Sequence, residues 1–205
     1  MDETGTARLE MFSDGVFAIA ATLLVLEFSV TKGGHPPPPP LGHQLLHLWP
    51  SYLAYTTSFL TIGIIWINHH HVMETIARVD RNFLFINTLL LLVVAFIPFP
   101  TKLVADYLDG ASGDERIAVY AYGATLFLMA VVFNVLWTYA RLDRRLIRED
   151  FPEAKVRAVT QACFVGVPLT ALVFLLATWT PLGGVIFAFA ISAFYLPGVM
   201  IFDRS

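Results

Sequence analysis

The chain has 205 residues, of which 57% are hydrophobic and 14% are charged, and its formal net charge is −3. A soluble domain usually carries about a quarter charged residues, so the composition excludes an ordinary soluble protein and indicates an integral membrane protein.

Apolar segments long enough to cross a bilayer occur six times along the chain. A hydrocarbon core of roughly 30 Å takes about 20 helical residues to span. The sequence predicts spans near 11–30, 49–69, 82–101, 117–139, 158–179 and 182–202. We therefore expect an all-α membrane protein in which residues 1–205 form a single six-helix transmembrane domain.

The first predicted span combines a membrane-length apolar run with polar residues. Its segment RLEMFSDGVFAIAATLLVLE, residues 8–27, carries Ser13 and Asp14 near the start and Glu27 at the end. An acidic residue in or beside hydrocarbon is costly, and its usual role is in function or assembly rather than lipid contact. The first helix is therefore the element to which we look for function.

A helical wheel with about 100° per residue gives this helix two different faces. Ser13 and Asp14 lie more than about 100° from Ile19, on either side of it. The side chains within about 60° of Ile19 are Phe12, Gly15, Thr22, Leu23, Leu26 and Val30. We expect this stripe and the polar pair to face different neighbours.

Two interpretations of Ser13 and Asp14 are open. Both residue types favour the N-cap of a helix, where the side chain accepts from free amides of the first turn. The interpretation we favour is a buried polar cluster, in which Asp14 pairs with Arg8 or with the second span. The candidate donors on that span are Trp66, Asn68, His69 and His70. Trp66 and His70 are four residues apart and therefore lie on one side of their helix.

The histidines do not predict a metal site. His69, His70 and His71 are consecutive, and adjacent residues of a helix point about 100° apart. His43 and His47 have the i,i+4 spacing of helical zinc ligands, but no carboxylate or thiol lies close in sequence to complete a site. We expect no metal and no cofactor.

Two asparagines interrupt otherwise apolar spans. Asn87 falls in the third span and Asn134 in the fourth. Amide side chains in membrane helices commonly make hydrogen bonds between helices. We expect both residues to be interhelical partners rather than ligands.

Lys and Arg are distributed unevenly over the predicted connections. With the N-terminus in the cytoplasm, ten basic residues lie inside and three outside, as the positive-inside rule favours. We therefore predict a multi-pass protein of the cell (plasma) membrane with both termini cytoplasmic. We attribute the excess of basic residues on the inside to membrane insertion. The bilayer is therefore the expected partner, and nucleic acid is not.

The first helix also carries a family resemblance. Arg8, followed by Phe12-Ser13-Asp14 and GVFAIAATLLVLE, resembles the signature helix of the family of the lysosomal potassium channel transmembrane protein 175. The segment 66–70 and the six-span length resemble the rest of a bacterial single-repeat member. The resemblance implies a potassium-permeable, modestly potassium-selective cation channel. It also implies a homotetramer with helix 1 lining a central pore, and potassium as the permeant ion.

The resemblance further implies a hydrophobic constriction on helix 1. It places that constriction at Ile19, followed by Leu23 and Leu26, with Thr22 at a filter position. The sequence lacks the TVGYG carbonyl filter of ordinary potassium channels. A ring of Ile19 side chains would strip water from an ion, and potassium is the more weakly hydrated ion, so we expect a modest preference for potassium.

Two further expectations concern the ends of helix 1. The resemblance implies a structural polar network that holds the helix-1 tetramer together, comprising Arg8, Ser13, Asp14, Trp66 and His70. At the outer end, Glu27 either raises the local cation concentration at a pore mouth or is a surface carboxylate that extends to water.

Three other classes of protein are alternatives to a channel. Spans two to six contain no Asp, Glu, Lys or Arg, which disfavours an ion-coupled secondary transporter because such proteins usually place an ionisable residue near the midplane. A nucleophile with a base, paired carboxylates and an HExxH-type ligand set are all missing from the sequence, so we expect no enzyme. A membrane assembly protein remains open.

Overall fold

The computed structural model describes residues 3–30, 39–109 and 113–202, with the backbone alone at 3, 4, 162 and 196–202. The described chain is built of α-helices, which confirms the predicted class. They are α1 Glu3–Leu23, α2 Leu41–His47, α3 Trp49–Thr75, α4 Arg81–Phe96, α5 Pro98–Tyr107, α6 Glu115–Arg141, α7 Glu153–Trp179 and α8 Pro181–Phe202. Short 3-10 turns, Leu24–Glu27 and Leu142–Arg144, follow α1 and α6.

Four helical segments of the described chain are long and apolar enough to cross a membrane. They are Gly5–Glu27, Arg81–Tyr107, Glu115–Arg144 and Glu153–Trp179. Helices α3 and α8 occupy the second and sixth predicted spans but are not among the four. Helix α3 carries histidines and several hydroxyl side chains, which lower its hydropathy, and the apolar part of α8 is described only over Pro181–Tyr195. The six-span count therefore stays a prediction.

Helix α3 lies at the centre of the bundle. It packs against α1, α5, α7 and α8, while α6 packs against α4, α5, α7 and α8. The largest fully buried side chains include Trp137 and Tyr122 on α6 and Phe83 on α4. Helix α1 covers one side of the bundle, where it contacts α3 and α4.

Two prolines divide the third predicted span into α4 and α5. Pro98 is the first residue of α5, a position that proline tolerates because the amide there has no partner within the helix. The α-helix is therefore interrupted at Ile97. It resumes at Pro98 and continues to Tyr107, beyond residue 101, where the third span was predicted to end.

A hydroxyl cluster inside the bundle joins three helices. Ser58 Oγ on α3 lies 2.8 Å from Thr101 Oγ1 on α5 and 3.0 Å from Tyr122 Oη on α6. Thr101 also donates to the Ile97 carbonyl oxygen at 2.8 Å. Buried polar groups need such partners, so the cluster fixes how α5 and α6 meet α3.

The segment after α6 pairs with the connection between α3 and α4. Ile76 and Ile147 form an isolated antiparallel bridge. The Ala77 amide donates to the Leu146 carbonyl oxygen at 2.8 Å, and the Arg148 amide donates to Thr75 at 2.9 Å. These backbone bonds hold the two connections together at one end of the bundle.

Asp80 ties the same end together through its side chain. One carboxylate oxygen caps α4 by accepting from the Phe83 amide at 2.9 Å. The other accepts from the Tyr139 hydroxyl at 2.7 Å and lies 3.5 Å from an Arg145 nitrogen. Burial alone would raise the pKa of Asp80, but these hydrogen bonds and the positive charge lower it below the ordinary value.

We expect Asp80→Ala to lower the free energy of unfolding by about 2 kcal/mol at neutral pH, because a helix cap and a partly buried hydrogen bond are lost together. Thermal unfolding of the purified protein in detergent measures this. Asp150→Ala is the control, since Asp150 is exposed and its one ion pair among the described residues is with Arg148 at 3.5 Å.

The same substitution predicts a pH dependence. A carboxyl group whose pKa is lowered on folding stabilises the protein above its ordinary pKa of about 4 and loses that contribution as the pH falls through the folded value. The difference in free energy of unfolding between the native chain and Asp80→Ala should therefore disappear only in strong acid. Equal losses for Asp80→Ala and Asp150→Ala at neutral pH would contradict this assignment.

Candidate functional site on the first helix

Helix α1 has one buried face and one exposed stripe. The buried face follows a spacing of three and four residues, and its members are Leu9, Ser13, Phe17, Ala20 and Leu24. The opposite side exposes large apolar side chains, with Ile19 at 60%, Leu23 at 41% and Leu26 at 70%. Phe12, Gly15 and Thr22 are exposed on the same side. We call this set, residues 12, 15, 19, 22, 23 and 26, the outer stripe.

A directed chain of hydrogen bonds runs behind the outer stripe. The Ser13 hydroxyl donates to the Leu9 carbonyl oxygen at 2.9 Å and therefore has only its lone pairs left to offer. Asn87 Nδ2 donates to Ser13 Oγ at 3.0 Å. The Asn87 carbonyl oxygen then faces His69 Nε2 at 2.8 Å, so that nitrogen carries the proton. Side chains of α1, α4 and α3 are thus linked in a fixed order.

The three side chains that these hydrogen bonds link are shielded from solvent. Ser13, His69 and Asn87 each have 0% exposure. The His69 ring packs against Phe17, with ring centroids 5.5 Å apart, and its Nδ1 has no partner among the described residues. The sequence indicated Asn87 as an interhelical partner, but the helices that it joins are seen only in the structure.

Asp14 makes a separate bond between α1 and α3. The Trp66 indole nitrogen donates to Asp14 Oδ1 at 2.9 Å. Asp14 and Ser13 cannot be N-caps, because α1 begins at Glu3 and both residues lie about three turns into the helix. The N-cap interpretation is therefore wrong. Arg8 is exposed, and no hydrogen bond or ion pair within the described chain joins it to Asp14.

Glu10 supplies a third link that the sequence analysis missed. His70 Nδ1 lies 2.9 Å from Glu10 Oε1, while its Nε2 lies 3.5 Å from Glu74. His70 thus contacts Glu10 rather than Asp14. The signal in the sequence was the spacing, since Glu10 and Asp14 are four residues apart and share one side of the helix. Over the described ranges, no group of three or more His, Cys, Asp or Glu side chains could hold a metal ion.

The outer end of α1 contains two further polar groups. The Thr22 hydroxyl donates to the Ile19 carbonyl oxygen at 2.9 Å, so the Thr22 oxygen keeps its lone pairs for another partner. Glu27, in the 3-10 turn, lies 3.4 Å from Lys102 Nζ on α5, which also reaches Asp106 at 3.5 Å. The Glu27 side chain is 14% exposed. Lys102 was not among the predicted site residues.

The α1 site offers an apolar surface with one hydroxyl oxygen and a polar anchor behind it. The outer stripe presents no charged side chain between Phe12 and Leu26. Such a surface suits contact with lipid, with another copy of the helix, or with a passing ion that remains partly hydrated.

Comparison with known proteins agrees with this architecture. Residues 8–98 match the family model described as the endosomal/lysosomal potassium channel TMEM175. A potassium channel of Chamaesiphon minutus is 42% identical over 89% of this chain and 90% of its own length. A potassium channel of Streptomyces collinus is 45% identical over 83% of this chain and 82% of its own.

Solved structures and vertebrate relatives extend the comparison. The crystal structure of a lysosomal potassium-selective channel TMEM175 homolog from Chamaesiphon minutus matches with a TM-score of 0.83 and 38% identity, covering 96% of this chain and 99% of the other. The human endosomal/lysosomal proton channel TMEM175 is 31% identical over 67% of this chain, which corresponds to 28% of the human protein.

The helical fold and these relatives define a membrane protein of an ion-channel family. The chain belongs to the TMEM175 family, as the resemblance of its first helix predicted.

We expect Asn87→Leu to lower the free energy of unfolding by about 2 to 3 kcal/mol, because it leaves the buried His69 N–H without an acceptor. Ser13→Ala should cost about 1 kcal/mol. The control is Thr88→Ala, since the exposed Thr88 hydroxyl donates to the Leu84 carbonyl oxygen of its own helix. Thermal unfolding in detergent ranks the three variants, and an Asn87→Leu protein as stable as Thr88→Ala would contradict the directed chain.

Proposed function

We propose that this chain is the subunit of a potassium-permeable, modestly potassium-selective cation channel in the cell membrane. The observation that carries the proposal is the outer stripe of α1, which is apolar and exposed while the face behind it is fixed by hydrogen bonds. Relatives that cover most of this chain are potassium channels.

The outer stripe favours association with other copies of α1. Its members recur at intervals of three and four residues, the spacing with which helices pack along a seam. Gly15 and Ala18 are small and exposed, and an added Cβ at Gly15 would meet nothing within 4 Å. Small residues let membrane helices approach closely. We propose a homotetramer with α1 of each subunit around a central pore.

Selectivity in this arrangement would come from removal of water. A ring of Ile19 side chains, one from each copy, offers no ligand to an ion, so the ion must cross partly dehydrated. Potassium holds its water less tightly than sodium and crosses at lower cost. One turn further, the Thr22 hydroxyl donates its proton to the Ile19 carbonyl oxygen. Its own oxygen can therefore present lone pairs to the ion. Leu23 and Leu26 continue the apolar lining.

The subunit would have six spans with both termini in the cytoplasm. Helix α3 fits the second span despite its polar side chains, because several of them, including Ser58 and His69, bond to neighbouring helices inside the bundle. Paired polar groups are tolerated at membrane depth. Helix α8 fits the sixth span, packed against α3 and α7.

The polar network would hold α1 in the orientation that the pore needs. Asp14 with Trp66 and Glu10 with His70 link α1 to α3 beside the Ser13 chain. Arg8 is exposed and would be available to a neighbouring copy in this proposal.

The test is potassium and sodium flux through the purified protein in liposomes, comparing the native chain with Ile19→Asn. We expect potassium flux to exceed sodium flux in the native chain, and the ratio to change several-fold in the variant because an amide can replace lost water. Leu92→Asn is the matched control, since Leu92 on α4 is 66% exposed, like Ile19, but lies outside α1. It should leave the ratio unchanged.

Other results of this experiment point to other functions. A flux ratio that is unchanged by Ile19→Asn would still indicate a channel, but with its constriction away from Ile19. Proton flux without potassium flux would assign the activity named for the vertebrate relatives. Absence of any flux from a verified oligomer would overturn the proposal in favour of an ion-coupled transporter or an assembly protein.

We expect Asp14→Ala to shift most of the protein from oligomer to monomer in size-exclusion chromatography with light scattering. The substitution removes the acceptor of the Trp66 indole, so α1 loses an anchor that sets its orientation. Asp14→Asn keeps an acceptor at that position and is the matched control. An Asp14→Ala oligomer of native size and native flux would show that this bond is dispensable.

A further inference from the structure

A cavity of about 100 Å³ lies between α3, α6, α7 and α8, and none of its described lining residues belongs to α1. Its walls are mostly apolar, with Leu126, Phe133 and Val173 among the lining side chains. Apolar cavities of about 150 Å³ can hold a benzene ring, so a single ring would fill this smaller, partly open space.

Two amide side chains line the same cavity. Asn68 on α3 makes no hydrogen bond within the described chain. Asn134 on α6 donates its two amide hydrogens to the Ala130 and Cys163 carbonyl oxygens at 2.9 and 2.8 Å, and its Oδ1 is buried without a partner. Unpaired amide groups in apolar surroundings are costly. The cavity therefore lacks a partner that both donates and accepts.

The wall formed by α7 includes a residue without a side chain. Gly166 lines the cavity, and a Cβ added there would meet nothing within 4 Å. Pro168, two residues further along α7, cannot donate to the Phe164 carbonyl, which locally weakens the helix. A larger side chain at residue 166 therefore has room to extend into the cavity.

We propose that this cavity is a binding site for a small ring molecule bearing one hydroxyl group, of the phenol class. The hydroxyl accepts from the Asn68 amide nitrogen and donates to Asn134 Oδ1, which has no partner among the described residues, while the ring lies against the apolar walls. A charged ligand does not fit, because none of the described lining residues is Asp, Glu, Lys or Arg. A pure hydrocarbon would leave the amides unpaired.

The test is fluorine NMR of 4-fluorophenol with the purified protein in detergent, competed by phenol. We expect saturable binding to the native chain and none to Gly166→Leu, in which the new side chain occupies the space. Gly63→Leu is the matched control: Gly63 lies inside α3, outside the cavity lining, and also has open space at its Cβ. It should bind 4-fluorophenol as the native chain does.

A second comparison tests the hydrogen bond separately from the shape. Asn68→Leu should weaken 4-fluorophenol binding about tenfold, the loss expected for one hydrogen bond, and leave fluorobenzene binding unchanged. This comparison decides the proposal even if Gly166→Leu does not fold. Absence of saturable binding to the native chain, binding that survives Gly166→Leu, or equal losses of both probes in Asn68→Leu would overturn it.

Discussion

The Asn87 side chain holds three helices together inside the bundle. Its amide nitrogen donates to Ser13 on α1 and its oxygen faces His69 on α3, while its backbone belongs to α4. Hydrocarbon offers no replacement partner, so each group must keep the one that it has. The order of donors is fixed as well, because the Leu9 carbonyl at the end of the chain can only accept. One amide thus sets the rotation of α1 against its neighbours.

The rotation of α1 determines which of its faces is free. Advancing the helix by one residue would turn it by about 100° and carry Ser13 away from Asn87. The Trp66 bond to Asp14 and the His70 contact with Glu10 lie on the same flank and oppose that rotation. The outer stripe is therefore exposed because the polar side is fully engaged. An apolar face alone would not distinguish Ile19 from Phe17, which is apolar and buried.

The sequence predicted the helical class and the two faces of α1, because composition and periodicity are local properties. It did not predict where α1 begins, since the helix starts at Glu3, outside the apolar run that defined the span. That error made an N-cap plausible for Ser13. The sequence also could not predict every hydrogen-bond partner of α1. Asn87 is separated from Ser13 by 74 residues, and the packing of α4 against α1 brings them together.

The ion pair at the outer end of α1 bears on how cations would approach a pore. Glu27 alone would attract cations, but Lys102 lies 3.4 Å away and compensates its charge. Asp106 shares the same lysine, so one positive charge faces two carboxylates and a single net negative charge remains. Lys102 and Asp106 are about half exposed, and salt screens charges at such a surface within about 10 Å, although Glu27 itself is only 14% exposed. In the proposed channel, attraction at the mouth would thus be weak, and discrimination between potassium and sodium would depend on dehydration beside Ile19 and on the Thr22 oxygen.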